Sequence, residues 1–291
     1  QIEIEKIKKI FMVGVDGAGM SGLAQMLHAM GKEVVGSDTK LSSQTERFPE
    51  KGIKVFVGHD SAHITSDVDL VVYSQAVPKD NLELLKAEAL GIPTASYAVV
   101  LGEISKTKKT IAIAGTHGKT TTTALTATIF KEAGLDPTAL VGGLVKSEGS
   151  GFINGKSDIS IVEADEYKKA FLSLEPFALA ITNIDLDHLD FYKDLADIQN
   201  AFRELAEKVP ENGAIICNPN DANVAPVLAT VRAKIIDYTK IRLDKNDINL
   251  PGEHNRNNAR VALAIARFFG IDETKARTAL KNFEGTKRRF D

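Results

Sequence analysis

The chain has 291 residues, a formal net charge of −3, and one cysteine, Cys217. This length predicts two domains, and the weak negative charge gives no support for nucleic-acid or membrane partners. A single cysteine excludes an intrachain disulfide and indicates a reducing compartment. No apolar run in the sequence approaches the ~20 residues of a membrane span, and no signal peptide is visible. We therefore expect a cytoplasmic protein.

Short apolar strands alternate with helical patterns in the first third of the chain. The predicted strands are residues 9–15, 33–37, 54–57 and 70–74, and the predicted helices are 20–30 and 81–90. This alternation is typical of a doubly wound parallel sheet. Residues 102–109 are polar and basic and lack an apolar period. We place the domain boundary in this segment, which gives domains of residues 1–106 and 107–291.

The second domain is predicted to open with a strand over residues 110–114 and a helix over 124–133. Further strands are predicted at 157–162, 177–182, 214–217 and 234–237, and further helices at 197–209, at 255–269 and from Asp272 or Thr274 to about Phe283. The predicted fold class is α/β: a Rossmann-like domain followed by a P-loop ATPase-like domain, both with mainly parallel sheets.

A glycine turn with one lysine follows the strand at 110–114 and includes Gly115, Gly118, Lys119 and Thr120. A strand, a glycine turn, Lys-Thr and a helix form the usual cradle for nucleotide phosphates. Backbone N–H groups would surround the anion, Lys119 would neutralise the outer phosphates, and the Thr120 hydroxyl would bind magnesium. We expect Lys119 to lie in an exposed loop, so that its removal changes folding little.

A second glycine loop follows the first strand and has the pattern Gly17-x-Gly19-x-x-Gly22. Asp38 lies 21 residues after Gly17, at the end of the second predicted strand, which suits a dinucleotide fingerprint. A diphosphate would lie at the helix N-terminus, and Asp38 would accept a hydrogen bond from a sugar or base. A nicotinamide dinucleotide, a UDP-sugar and a turn that serves packing alone all remain open.

Polar side chains follow two later strands and open a later helix. Glu163 and Asp165 end a buried strand, where an acid can hold magnesium near the β- and γ-phosphates or act as a helix cap. His188 ends another strand and is either a ligand or a structural residue. Asn255 and Asn258, three apart on a helix, either cap it or face one way and bond an adenine edge.

With these motifs in order, the chain resembles the Mur ligases of peptidoglycan synthesis. The segments that carry the resemblance are residues 17–22, Gly36-Ser37-Asp38, Tyr73-Ser74, 114–121, Glu163-Ala164-Asp165-Glu166, 182–188, 252–255 and Lys287-Arg288-Arg289-Phe290.

The resemblance implies a role for each matching residue. The UDP-sugar would be held by Gly17, Ala18, Gly19, Met20, Ser21 and Asp38, with His59 and Ser74 nearby. ATP would be held by Gly115, Thr116, His117, Gly118, Lys119, Thr120 and Thr121, with Asn255 and Asn258 near the adenine and Arg288 near the phosphates. One magnesium would be bound by Thr120 and Glu163 and a second by His188, and the residues implied in catalysis are Lys119, Glu163 and His188.

The implied activity uses ATP and Mg²⁺ and joins L-alanine to UDP-N-acetylmuramate through an acyl phosphate. Tyr167 is also typical of a sibling ligase that recycles a murein tripeptide, so that acceptor stays an alternative. Asp16 stands where the family usually has a small residue and would repel a diphosphate unless its side chain turns away. The chain ends where the family's third domain, with the amino-acid site, is expected to begin. We therefore expect a truncated form that binds nucleotides and ligates extremely slowly.

Three other functions are alternatives. A non-catalytic nucleotide-binding module would retain the glycine loops without turnover. A nicotinamide oxidoreductase would leave Gly118-Lys119-Thr120 without a role. A folate polyglutamylation ligase shares the phosphate turn but has no need of a UDP-type first domain. The sequence does not predict the oligomeric state.

Overall fold

The computed structural model describes residues 2–287, which divide into two compact units between Ile104 and Ser105. The boundary predicted from sequence, between residues 106 and 107, lies close to this division. A helix that was not predicted from the sequence runs over Tyr97–Ser105, into the segment of the predicted boundary. That helix buries Val100, Leu101 and Ile104, and a window that began at residue 102 missed their spacing.

The first unit contains five strands and three helices. They are β1 (Lys9–Val13), α1 (Ala18–Ala29), β2 (Glu33–Asp38), β3 (Lys54–Val57), β4 (Leu70–Tyr73), α2 (Leu82–Ala89), β5 (Thr94–Ser96) and α3 (Tyr97–Ser105). The strands form one sheet in the order β3-β2-β1-β4-β5, with every pair parallel. The order reverses beside β1, and ligands of open α/β sheets bind at such a reversal, beyond the carboxyl ends of the strands.

The second unit has a larger, mixed sheet. Its elements are β6 (Lys109–Ala114), α4 (Lys119–Glu132), β7 (Thr138–Val145), β8 (Ser150–Ile153), β9 (Ile159–Glu163), β10 (Ala178–Ile181), α5 (Leu195–Glu207), β11 (Ala214–Cys217), β12 (Lys234–Asp237), α6 (Glu253–Phe268), α7 (Glu273–Asn282) and β13 (Thr286–Lys287). The strand order is β12-β11-β10-β6-β9-β7-β13, and β8 pairs with β7. Strands β8 and β13 are antiparallel to β7, and the other pairs are parallel. The predicted α/β class is confirmed.

The helix after the phosphate turn begins earlier than predicted. It starts at Lys119 rather than Ala124, so it includes the run of threonines. Threonine is a weak helix former, but here its hydroxyl bonds to the carbonyl one turn back: Thr123 donates to Lys119 at 2.8 Å and Thr126 donates to Thr122 at 2.7 Å. Leu125 of the same helix is fully buried. Tertiary packing therefore overrides the low helix propensity of the threonines.

Sequence patterns also missed the hairpin of β7 and β8. Gly142 and Gly143 interrupt the apolar run of β7, and a glycine inside a strand weakens the strand signal. In the structure this strand lies beside β9, which places its backbone next to Glu163. Within residues 2–287, no helix combines the length and the apolar character that crossing a membrane requires.

Candidate functional site

The phosphate turn follows β6, between the ends of β9 and β10, which flank β6 in the sheet. Two of its positions accept only glycine. Gly115 has φ +135° and Gly118 has φ +86°, in the region that L-residues rarely adopt. A Cβ on Gly115 would lie 2.0 Å from the Thr182 hydroxyl oxygen, and one on Gly118 would lie 2.4 Å from Oδ1 of Asn258.

The segment after β10 braces the turn from one side. The Asn183 side chain accepts from the His117 N–H and donates to the His117 carbonyl, both at 2.9 Å. The Thr116 hydroxyl accepts from the Asp185 N–H at 2.9 Å. The motif Asn183-Ile184-Asp185 therefore shapes the turn, and the Thr116 side chain is engaged within it. The His117 side chain is exposed.

Lys119, the first residue of α4, is held by acceptors inside the protein. Its Nζ donates to the Gly115 carbonyl at 2.6 Å and to the two carboxylate oxygens of Glu166 at 3.1 and 2.9 Å. Its side chain is 17% exposed, and that of Glu166 is 3% exposed. The expectation of an exposed lysine is wrong, because the buried carboxylate of Glu166 draws the ammonium group inward.

Glu163, at the end of β9, lies beside Thr120. Its carboxylate accepts from the Gly142 N–H at 2.5 Å and from the Thr120 hydroxyl at 3.2 Å. Burial raises the pKa of Glu163 above its ordinary value, against the opposing effects of the Gly142 N–H, the Thr120 hydroxyl and Lys119. A carboxylate and a hydroxyl at this separation are hard oxygen ligands of the kind that Mg²⁺ prefers. The pair therefore fits the predicted magnesium position.

His188 lies in a different group of contacts from Thr120 and Glu163. Its Nε2 is 3.5 Å from Oε1 of Glu166, and its ring is 4.9 Å from the ring of Tyr167. Ligand atoms of Asp165, Glu166 and His188 all lie within 4.8 Å of one another, close enough to share a cation. The second predicted metal position therefore lies beside Glu166. This residue follows the end of β9, and no role was predicted for it from the sequence.

Helix α6 brings Asn258 to the phosphate turn but directs Asn255 elsewhere. Asn258 is 7% exposed and packs against Gly118. The Asn255 amide donates to the carbonyl of Pro251 at 2.7 Å, and the N-cap is Gly252, so neither asparagine is the helix cap. Their contact with adenine stays a prediction. Arg288 lies outside the described residues.

The glycine loop of the first unit leads into α1, whose N-cap is Gly17 without a side-chain hydrogen bond. The first N–H groups of a helix have no partner within the helix and attract anions. Met20 and Ser21 are buried, at 3% and 1% exposure, and the Ser21 N–H donates to the Gly17 carbonyl. A diphosphate at this loop would therefore be contacted by the backbone N–H groups of Ala18 and Gly19.

The carboxylate of Asp16 is engaged by the segment that follows β2. Its Oδ1 accepts from the N–H of Ser42 at 3.1 Å, from the Ser42 hydroxyl at 2.6 Å and from the Thr45 hydroxyl at 2.5 Å. The Asp16 N–H donates to Asp38 at 2.9 Å. Asp16 therefore anchors the segment after β2, and Asp38 is held at the strand end beside the loop.

A fully buried glutamate, Glu83 of α2, contacts His59, one of the predicted UDP-sugar residues. Its carboxylate accepts from the Ser37 hydroxyl at 2.6 Å and lies 2.8 Å from Nδ1 of His59 and 2.7 Å from Nδ1 of His63. Ser74 follows β4, and its Cβ is 3.1 Å from the position of a Cβ on Gly14. Glu83 was not predicted from the sequence, because an acid on an amphipathic helix gives no sign of burial.

The two units together define a class of protein: a P-loop-like α/β domain preceded by a Rossmann-like domain. Residues 9–109 match the Mur ligase family, catalytic domain, and residues 113–246 match the Mur ligase middle domain. The chain is 41% identical over 98% of its length to a UDP-N-acetylmuramate–L-alanine ligase of Clostridium kluyveri and 39% identical over 98% to one of Sulfurihydrogenibium; it covers 68% of each relative. The chain belongs to the Mur ligase family.

Solved structures of two kinds of Mur ligase are similar to this chain. One is the UDP-N-acetylmuramate:L-alanyl-γ-D-glutamyl-meso-diaminopimelate ligase of Neisseria meningitides, with 28% identity, a TM-score of 0.88, and coverage of 97% of this chain and 100% of that chain. Another is the UDP-N-acetylmuramate–alanine ligase of Thermotoga maritima, with 27% identity, a TM-score of 0.84, and coverage of 97% and 70%. The structural neighbours therefore include both an alanine ligase and a tripeptide ligase.

Proposed function

We propose that this chain serves an ATP-dependent ligase that joins L-alanine to UDP-N-acetylmuramate. The observation that carries the proposal is the meeting of Lys119, Thr120 and Glu163 at one sheet edge, in a chain 41% identical to an alanine ligase over 98% of its length. In the reaction, the muramoyl carboxylate accepts the γ-phosphoryl group of ATP and ADP leaves. The amine of L-alanine then displaces inorganic phosphate and forms the amide.

The second unit supplies the ATP site. The Thr116 and His117 N–H groups of the phosphate turn donate to Asn183. The phosphates would therefore bond to the first N–H groups of α4, which begins at Lys119, and Lys119 adds positive charge. Thr120 and Glu163 are the residues that would hold Mg²⁺, and His188 is the ligand for a second ion. Bound Mg²⁺ supplies the charge neutralisation that phosphoryl transfer needs. The protein's own part is positioning, because α4 and the ends of β9 and β10 fix these side chains before the substrate binds.

The first unit supplies the UDP-sugar site. The N-terminus of α1 attracts the diphosphate, and Asp38, His59 and Ser74 lie at the ends of β2, β3 and β4, on the same edge of the parallel sheet. Oδ1 of Asp16 accepts from the Ser42 and Thr45 hydroxyls, so this carboxylate is tied to the segment after β2.

The tripeptide acceptor is the second candidate, favoured by Tyr167 and by the similarity to the Neisseria enzyme. The test measures binding of Mg²⁺-ATP and of UDP-N-acetylmuramate by calorimetry, followed by ADP release with L-alanine or with L-alanyl-γ-D-glutamyl-meso-diaminopimelate. The release assay uses the 291-residue chain and any longer gene product that carries it. Release with L-alanine alone supports the proposal, and release with the tripeptide alone favours the second candidate. Binding without release in either protein would indicate a non-catalytic module.

A further inference from the structure

We propose that Glu166 competes with nucleotide phosphates for Lys119, so that nucleotide binds only when this carboxylate gives up the ammonium group. The inference rests on the proposed function, since it concerns the same phosphate turn. It assigns to Glu166 a positioning role that sets the affinity of the site.

The ammonium group of Lys119 has no free hydrogen-bond donor. A lysine ammonium has three donors and no acceptor. Lys119 has three contacts within hydrogen-bonding distance, to the Gly115 carbonyl and to the two oxygens of Glu166. Every donor of the ammonium group is therefore occupied. A phosphate oxygen can bond to Lys119 only by displacing one of these acceptors.

The charge and burial of Glu166 identify the acceptor that is displaced. The Gly115 carbonyl belongs to the turn itself, which Thr182 and Asn183 hold in place through His117. Glu166 instead presents a carboxylate whose side chain is 3% exposed, and it is an anion at the position where a phosphate would pair with the lysine. Two anions that share one ammonium group repel each other, so Glu166 opposes phosphate as long as it stays there.

The backbone of Glu166 is fixed, so the change falls on its side chain. The Glu166 carbonyl accepts from the Tyr192 hydroxyl at 2.5 Å and from the Lys169 N–H at 3.0 Å. Tyr192 is 1% exposed, which anchors this contact in the core. The carboxylate has a second partner within reach, because Nε2 of His188 lies 3.5 Å from Oε1. The side chain of Glu166 can therefore exchange Lys119 for His188 without a backbone movement.

Unusual backbone conformations surround this carboxylate. Lys168, Lys169 and His188 have φ values of +50°, +58° and +53°, in the left-handed region that non-glycine residues adopt only when their surroundings hold them. Two of these residues directly follow Tyr167 in the loop of Glu166, and the third is the alternative partner of the carboxylate. Strain of this kind accumulates at binding sites and switch regions, which agrees with a contact that must open.

The test measures binding of ATP and ADP by calorimetry with EDTA present, so that no metal contributes. Glu166→Gln keeps the shape and one acceptor but removes the negative charge. Its affinity for both nucleotides should rise by roughly 10-fold, the effect of removing one charged competitor for a hydrogen bond. Asp165→Asn is the matched control: it removes the same charge one residue away, at an exposed side chain that accepts from the Tyr167 N–H rather than from Lys119.

A rise in Glu166→Gln that clearly exceeds the rise in Asp165→Asn supports the proposal. Unchanged or weaker binding in Glu166→Gln overturns it, and so does an equal rise in both variants. If Glu166→Gln shows no cooperative unfolding transition, Glu166→Asp replaces it, because the shorter side chain retracts the carboxylate from Lys119 and should also strengthen binding. Nucleotide binding by the unaltered chain separates the two ideas: if neither it nor the variants bind, the proposed function fails as well.

Discussion

The side chain of Asn258 fills the space in which a Cβ of Gly118 would lie, with its Oδ1 2.4 Å from that position. Helix α6 thus packs on the phosphate turn at the point where the backbone has φ +86°. The contact couples two segments that are far apart in the chain, and it makes the conformation of the turn sensitive to a single methyl group.

Gly118→Ala should therefore weaken ATP binding by at least about 10-fold, because the turn must shift to relieve both the clash and the backbone strain. Gly134→Ala is the matched control, since Gly134 also has positive φ, +80°, but nothing lies within 4 Å of its added Cβ. The control should lose about 1–2 kcal/mol of unfolding free energy and keep its ATP affinity. Equal ATP affinity in the two variants would contradict the assigned role of the turn.

Lys119→Ala should affect both binding and folding. Loss of a charge-assisted contact should reduce ATP affinity by about 10-fold. A larger loss is not expected, because in the unaltered chain Lys119 must first leave Glu166 before it can bind a phosphate. Glu166 would remain as a buried carboxylate without its lysine, which should reduce the unfolding free energy by about 1–3 kcal/mol. Urea denaturation of Lys119→Ala/Glu166→Gln should show most of that loss restored, with ATP affinity still low. If Lys119→Ala alone is as stable as the unaltered chain, the ion pair of Lys119 and Glu166 does not stabilise the fold and this prediction is wrong.

Glu163→Gln should weaken the magnesium-dependent part of ATP binding and leave UDP-N-acetylmuramate binding unchanged. Glutamine preserves the acceptor for the Gly142 N–H but lacks the negative charge that a hard divalent ion requires. Calorimetry with and without Mg²⁺ measures the difference for each ligand. Simultaneous loss of both ligands would indicate misfolding rather than loss of a metal ligand.

The raised pKa of Glu163 gives this site a pH dependence of definite sign. Only the ionised carboxylate binds Mg²⁺, so magnesium-dependent ATP affinity should fall as the pH is lowered toward a pKa above the ordinary 4.5. The unfolding free energy changes with pH in the opposite direction. A carboxyl group that binds its proton more tightly in the folded state stabilises that state as the pH falls. Titration of Mg²⁺-ATP affinity against pH should show the acid limb, and Glu163→Gln should lack it.

Glu83→Ala should destabilise the first unit and weaken UDP-N-acetylmuramate binding. The change leaves Ser37 and His63 without their shared acceptor and removes the contact that holds Nδ1 of His59, which we expect to reduce the unfolding free energy by about 1–3 kcal/mol. Glu88→Ala, at an exposed position of the same helix, should stay within about 0.5 kcal/mol. Unchanged UDP-N-acetylmuramate affinity in Glu83→Ala would exclude a role for His59 at that site.

The sequence by itself determined the parts of this protein whose chemistry is local. Three strands, Lys54–Val57, Ala214–Cys217 and Lys234–Asp237, have the predicted bounds, because short apolar runs between turn residues are strand signals that need no distant partner. The two glycine turns could also be predicted from the sequence. A phosphate site of this kind needs a small backbone turn at a helix N-terminus, and its residues are adjacent in the chain. The Mur ligase family followed from the order of such motifs.

Only the tertiary structure decided which side chains meet across the chain. Lys119 and Glu166 are 47 residues apart, and Gly142 and Glu163 are 21 apart, so no local pattern joins them. The direction of Asp16 depends on Ser42 and Thr45, and the burial of Glu83 depends on strand ends and loops that pack around α2. The free energy of ionising a buried side chain depends on its neighbours as well as on its own type. Those neighbours come together only when the sheets form.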